Sequence, residues 1–410
     1  MPGAGRLLLV TMGLFGLVAC QAPGLPLPIG GSPDATSALP TPAPTVEAPM
    51  GTPPGPVLDI LPLPTGELLV GVGPVGDVDT GFEWQLWRGR DDAWQRLAWP
   101  AQAIPRALRV TPAGDVYFAV PFSQAVFGSG QAWGLMRSSD GGQSWQQVLN
   151  GVDDPYVMDL LVSPTFASDQ TLLIDTWYSG VYYSTDLGDR WWPIRPRKEI
   201  LPSGGVNAYD LAVAVSPDYQ GPPNRRSGRG LMLASFSHQL QRWDALNQIW
   251  RTIPLTVTVP FDDFDPPETQ LTAGSLAFSP DFASDSTVYG FSGAAGVFRS
   301  VDRAETWQPA SGRLPLAPPP EFEFHLAAAS SNEAFLLLPG DAGQASPRPA
   351  MLLYHTQDGG NSWQVLQDSP VPGGVTALTL ARDEQGRPLL WLGGRRGGVS
   401  RQLADSLHWR

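Results

Sequence analysis

One stretch of this chain occurs twice. Ser163-Pro164-Thr165-Phe166-Ala167-Ser168-Asp169-Gln170-Thr171 returns as Ser279-Pro280-Asp281-Phe282-Ala283-Ser284-Asp285-Ser286-Thr287, and a tryptophan follows the first serine by 28 residues in both copies, Trp191 and Trp307. A Gly-Val pair stands eleven residues before each of those tryptophans, Gly180-Val181 and Gly296-Val297, and Gly398-Val399 precedes Trp409 by the same eleven. Self-similarity at a fixed period of this length means one structural module used repeatedly, with each copy packing on the next.

The second half of the module has its own pattern, Ser/Thr-x-Asp-x-Gly-x-x-Trp. It reads Ser138, Asp140, Gly142, Trp145; then Ser184, Asp186, Gly188, Trp191; then Thr356, Asp358, Gly360, Trp363. A fourth copy keeps Ser300, Asp302 and Trp307 but has Ala304 where the others have glycine. Decayed copies end at Trp94, Trp250 and Trp409, so seven tryptophans mark the repeat at spacings of 46 to 59 residues. Within one copy, residues 156–195, four apolar runs rich in β-branched and aromatic residues alternate with Gly, Pro, Asp and Ser, which is the signature of successive strands. Four strands per unit of about fifty residues, seven times over, predicts an all-β chain: a seven-bladed β-propeller of four-stranded antiparallel blades over 57–410. Composition agrees, with 45 Gly, 43 Pro and 15 Trp in 410 residues.

The pattern resembles the Asp-box, or bacterial neuraminidase repeat, of sialidases, sortilin-type receptors and the photosystem II assembly-factor propellers. That resemblance implies a hairpin turn between the third and fourth strands, on the rim opposite the active face. An Asp carboxylate can accept amides of its own turn, and glycine supplies the positive φ where the chain reverses. The boxes are therefore read as structural rather than catalytic. Sialidases also carry an Arg-Ile-Pro motif, and this chain has none; Ile104-Pro105-Arg106 runs in the wrong order. They are usually six-bladed besides. A different glycosidase would need two carboxylates across a cleft, which the mouth of any propeller can supply.

The first nineteen residues form an address. Arg6 precedes a thirteen-residue apolar run, Leu7–Ala19, which is the layout of a secretory signal and short for a bilayer span. Its end, Leu17-Val18-Ala19-Cys20, resembles the lipobox of bacterial lipoproteins and implies cleavage before Cys20, the sole cysteine, with lipid attached there. Residues 20–56 then read as a tether: residues 21–56 hold eleven prolines and no large apolar run. At about 3 Å per residue this spacer reaches up to about 100 Å. The expected location is the outer face of a cell membrane, held by lipid alone. The net charge of −13, deepened by one when Arg6 is removed, leaves no positive field for nucleic acid or anionic lipid.

No cofactor is expected. The mature chain keeps no free thiol, and the four histidines, His238, His325, His355 and His408, lack ligand spacing. Asp77-Val78-Asp79-Thr80-Gly81 starts like a calcium loop without its closing Glu, and Asp262, Asp263, Asp265 and Glu268 read as an acidic loop rather than a metal site. Long connections on the face away from the boxes are the candidate binding loops: Phe122 and Trp133 in 120–133, Trp192, Arg195 and Arg197 in 192–210, and Phe261, Asp262, Asp263 and Asp265 in 251–274. Aromatic residues interleaved with charge on a rigid scaffold suit recognition of a protein or glycan. The expected function is a non-catalytic binding module, suited to assisting assembly of a membrane complex; the rival is a glycosidase acting on cell-surface glycan.

Overall fold

In the blade strands, apolar side chains face both ways, because each blade packs against a neighbour on either side. The computed structural model describes residues 53–77, 81–91, 93–99, 106–119, 134–176, 179–194, 212–224, 230–236, 239–253, 256–258, 268–270, 275–292, 296–314, 325–339 and 351–409. Seven of the eight antiparallel sheets they form follow one another in chain order as the blades of a propeller.

Blade 1 comprises Val57–Pro62, Leu68–Asp77, Gly81–Arg90 and Ala93–Arg96. Blade 2 comprises Arg106–Val110, Val116–Ala119, Leu135–Ser138 and Gln146–Gln147. Blade 3 comprises Val157–Val162, Leu172–Thr176, Gly180–Ser184 and Trp192–Pro193. Blade 4 comprises Ala212–Val215, Met232–Phe236, Gln239–Asp244 and Ile249–Thr252. Blade 5 comprises Ser275–Phe278, Val288–Ser292, Gly296–Ser300 and Gln308–Pro309. Blade 6 comprises His325–Ala328, Ala334–Pro339, Met351–Thr356 and Gln364–Val365. Blade 7 comprises Val375–Arg382, Pro388–Gly394 and Val399–Leu403. Six sheets thus have the expected four strands, and the seventh has three among the described residues.

The core is a series of clusters between blades rather than one central mass. Leu69 and Leu86 of blade 1 meet Phe118, Met136 and Trp145 of blade 2. Tyr117 and Leu135 of blade 2 meet Leu160, Ile174, Tyr182 and Trp191 of blade 3. Trp307 packs among residues of blades 4 and 5, and Trp363 among residues of blades 5 and 6. Ring closure joins first to last: Val57, Val70 and Trp87 pack against Ala377, Trp391 and Val399. Two hydroxyls seal that seam, Thr376 Oγ1 donating to Val57 O at 2.7 Å and Thr379 Oγ1 to Ile60 O at 2.6 Å.

Two features depart from the simplest reading. Phe166–Asp169 and Phe282–Asp285, inside the duplicated segment, each make one turn of α-helix, with Phe166 and Phe282 buried. The connection between blades 4 and 5, expected as a loop, contains a two-stranded ribbon of Thr256–Thr258 and Glu268–Gln270. Thr and Val favour such extended pairing. The run Trp191-Trp192-Pro193-Ile194, which reads as the fourth strand of its copy, does carry that strand at Trp192–Pro193; Trp192, also the first residue of the candidate loop 192–210, stacks on Tyr183 with ring centroids 5.8 Å apart. The cross-strand aromatic contact draws it into the sheet.

Candidate functional site

Strand order divides the ring into two rims. First-to-second and third-to-fourth connections leave one rim; second-to-third connections and those to the next blade leave the other.

The first rim satisfies itself. In the turn after Leu135–Ser138, Ser138 Oγ donates to Asp140 Oδ1 at 2.7 Å and accepts the Gly142 amide at 2.7 Å. Asp140 Oδ1 also accepts the Gln143 and Ser144 amides, both at 2.9 Å, while Ser144 Oγ donates to Oδ2. Three of these bonds, hydroxyl to Asp Oδ1, fifth-position amide to hydroxyl and the amide four residues past the Asp to Oδ1, recur around Ser184, Asp186 and Gly188, around Ser300, Asp302 and Ala304, and around Thr356, Asp358 and Gly360. Partial burial pushes the Asp140 carboxyl up, but the bonds from Ser144, Ser138 and the amides outweigh it and hold it below its usual value. Asp302 follows the same balance, and at Asp358 the Ser362 hydroxyl and amide lead the lowering. Blade 4 lacks the motif yet keeps its chemistry: the Asn247 side chain and amide, with Arg251, bring Asp244 down to about 2. The duplicated segment closes the same rim, where Asp169 Oδ2 accepts Ser163 Oγ, Thr165 Oγ1 and the Gly221 amide of the next blade. These carboxylates are spent on their own turns.

The innermost strands present a different set. Counting back from the backbone bond that opens each first-to-second turn aligns Asp59, Ala107, Asp159, Ala212, Ser275, His325 and Thr379 in blades 1 to 7. Asp59 and Asp159 each stand third in their strands, Val57–Pro62 and Val157–Val162. Asp59 Oδ1 accepts the Ile60 amide at 2.8 Å, and its Oδ2 accepts the Leu108 amide of blade 2 at 2.9 Å. Arg109 of blade 2 reaches onward to Asp159 of blade 3, Nη2 to Oδ1 at 2.9 Å, and the Leu160 amide shares that oxygen at 2.8 Å. One guanidinium thus bridges blade 2 to blade 3, while one carboxylate bridges blade 1 to blade 2. Water reaches the pair: the Arg109 and Asp159 side chains keep 34% and 38% of their surface. Although its outer edge stays open, the packed inner wall around the Asp159 carboxyl strips enough solvation to push it above its usual value, against the pull of Arg109 and the Leu160 amide, and Asp59 adds to the rise. Asp175 stands directly opposite Asp159 on the neighbouring strand.

Asp59, Arg109 and Asp159 were not among the residues singled out from the sequence. A signal was present: Val57-Leu58-Asp59-Ile60-Leu61 and Val157-Met158-Asp159-Leu160-Leu161 place the same charge in the same apolar run. Of the candidate binding residues, Trp192 is described and lies in a strand; Phe122, Trp133, Arg195, Arg197, Phe261, Asp262, Asp263 and Asp265, like Cys20, lie outside the described residues. Among the described residues no group of three His, Cys, Asp or Glu side chains could hold a metal ion, and no helix is long and apolar enough to cross a membrane.

No protein-family model and no curated protein matches this sequence. Solved structures do. YCF48 bound to a D1 peptide is 18% identical, with 90% of this chain and all of that one covered at a TM-score of 0.50. YCF48 from Cyanidioschyzon merolae is 12% identical over 88% of this chain and 99% of its own, at 0.51. The xyloglucanase of glycoside hydrolase family 74 from Xanthomonas campestris is 15% identical at 0.52, over 87% of this chain and 53% of the enzyme. At these identities the likeness is one of fold, a propeller that serves binding proteins and hydrolases alike.

Proposed function

We propose that this chain is an exported lipoprotein, held by lipid on Cys20 and a proline-rich tether, whose propeller binds a polypeptide or glycan without chemistry at the rim opposite the Ser/Thr-x-Asp-x-Gly-x-x-Trp turns. The observation that carries this reading is the commitment of the inner-strand charges. Both oxygens of Asp59 accept backbone amides, and Asp159 is held by a guanidinium and an amide. A general acid has to give up and regain a proton during turnover, and a carboxylate fixed as an acceptor is poorly placed for it. A rigid, water-reachable array of fixed charge instead suits complementary polar groups of a partner. The connections 120–133, 195–211 and 254–274 join strands that end on this same rim, and their sequence mixes aromatic and charged residues. Such a module suits assistance in assembling a membrane complex.

One observation favours a hydrolase. Asp159 is raised by burial and shares its wall with a second carboxyl, Asp59, and glycosidases work with two carboxyl groups, one of them raised. The two readings separate in one experiment on the lipidated protein. Arg109→Ala and Asp159→Asn are compared with the unaltered chain for capture of an envelope partner and for release of reducing sugar from xyloglucan and from a sialoside. Loss of a captured partner in both variants, with no sugar released by any form, supports the binding module. Sugar release by the unaltered chain and not by Asp159→Asn overturns it.

A further inference from the structure

In blades 1 to 6 a residue just past the fourth strand donates its amide to one third-strand carbonyl. The bonds are Leu97 to Leu86 O at 2.9 Å, Val148 to Leu135 O at 3.0 Å, Ile194 to Val181 O at 3.0 Å, Ile253 to Leu240 O at 2.8 Å, Ala310 to Val297 O at 2.8 Å and Leu366 to Leu353 O at 2.8 Å. The recurring Gly-Val pair makes Val399 the seventh member of this series. Val399–Leu403 pairs with Pro388–Gly394 on one side, and among the described residues no strand pairs with its other edge. The chain turns away through a short 3-10 turn, Ala404–Ser406, and crosses to blade 6, where Trp409 bridges Leu366 and His408 O accepts the Gln367 amide.

An edge of this kind presents a row of amides and carbonyls that templates a further strand. Three observations select its occupant. Eleven prolines in 21–56 lack the amides a strand needs, so this chain's own tether is unsuited. A second copy paired antiparallel on the same edge would set Arg401, the central residue of Val399–Leu403, against its twin, and like charges directly opposite repel. The local charge is positive in an acidic protein: residues 387–410 carry five arginines and one carboxylate, Asp405, within a chain of net charge −13. Arg396 and Arg401 are exposed, and the Arg401 guanidinium stands 5.5 Å from the ring centroid of Trp391.

We propose that the outer edge of Val399–Leu403 is a docking site for an extended, acidic segment of a partner protein, which adds as the fourth strand of blade 7. This site is separate from the rim of the preceding section and stands or falls without it.

The test uses the full chain and two short synthetic peptides, one alternating Val and Glu, the other alternating Val and Lys, with binding read by calorimetry and by hydrogen exchange of the 399–403 amides. The Val/Glu peptide binds and slows exchange of the Arg401 amide, the Val/Lys peptide does not, and Arg109→Ala leaves both results unchanged. Arg401→Glu, with an unaltered melting temperature, weakens the Val/Glu peptide by about tenfold as attraction becomes repulsion. Four results would each overturn the proposal: no binding of either peptide, which would mark Arg401 as a guard of the edge; equal binding of both; Arg401 amides already protected in the free protein; or a dimer whose formation protects them.

Discussion

The Trp191 indole N–H donates across the blade 2–blade 3 seam to Val148 O at 2.8 Å. The bond recurs at two other seams. Val148 lies three residues past Trp145; Trp250 donates to Ile194, three past Trp191, and Trp363 to Ala310, three past Trp307. Each of these tryptophans is therefore a spacer and a tie to the preceding blade. Trp191→Ala should cost about 3–5 kcal/mol, as removal of a large core aromatic does. Trp191→Phe keeps the packing and orphans the Val148 carbonyl, for about 1–3 kcal/mol. Denaturant unfolding of both variants checks the pair; an unchanged midpoint for Trp191→Ala would refute the spacer role.

Acid should loosen the first rim. Asp140, Asp302 and Asp358 have folded-state values below the ordinary 3.8, so the carboxylate form is favoured by folding. Their contribution is complete above 3.8 and is lost as pH falls through the depressed folded values. Melting temperature should accordingly drop on acidification below that point. Asp140→Asn should flatten part of the drop and lower stability at neutral pH by about 1 kcal/mol, the scale of a lost side-chain cap. An identical pH profile for the variant would show that the turn carboxylate carries no linkage.

Asp159 has the opposite sign. Its folded value is raised, so folding favours the neutral form, and the ionised side chain works against stability once pH climbs past the unfolded 3.8. Asp159→Asn should raise the melting temperature at neutral pH and leave it unchanged below 3.8, where both side chains are neutral. Arg109→Ala should do the reverse at neutral pH, because it strips the guanidinium from a carboxylate already disfavoured by burial. Thermal scans at the two pH values check both signs, and stabilisation by Arg109→Ala would contradict the pairing.

The first rim was legible because its chemistry is local. Ser138, Asp140 and Gly142 complete their bonds within four residues, so a short pattern carries the whole structure. The inner wall is different. Arg109 and Asp159 are fifty residues apart, and Asp59 and Leu108 forty-nine, so their meeting depends on the pitch of the ring rather than on any local spacing. Trp192 falls on the local side of this divide: the apolar run Trp191-Trp192-Pro193-Ile194 reads as a strand, and pairing with Tyr183 places Trp192 in one.

Glycine at the fifth position of the turn is required by geometry that differs from blade to blade. At Gly360 φ is +92°, and a Cβ there would lie 2.3 Å from the carbonyl oxygen of Ala310 on the preceding blade. At Gly188 φ is +90°, but the nearest atom a Cβ would meet is Val148 Cγ2 at 3.3 Å. Blade 5 carries Ala304 at this place with φ of 65°, close to the left-handed well near +57° that an L-residue can occupy. Gly188→Ala should therefore cost about 1–2 kcal/mol, the ordinary penalty of that conformation. Gly360→Ala adds a backbone collision across the seam and should cost at least about 3 kcal/mol. The ranking is the prediction: chemical denaturation that found Gly188→Ala the more damaging of the two would mean that the blade 5–blade 6 seam is looser than its contacts describe.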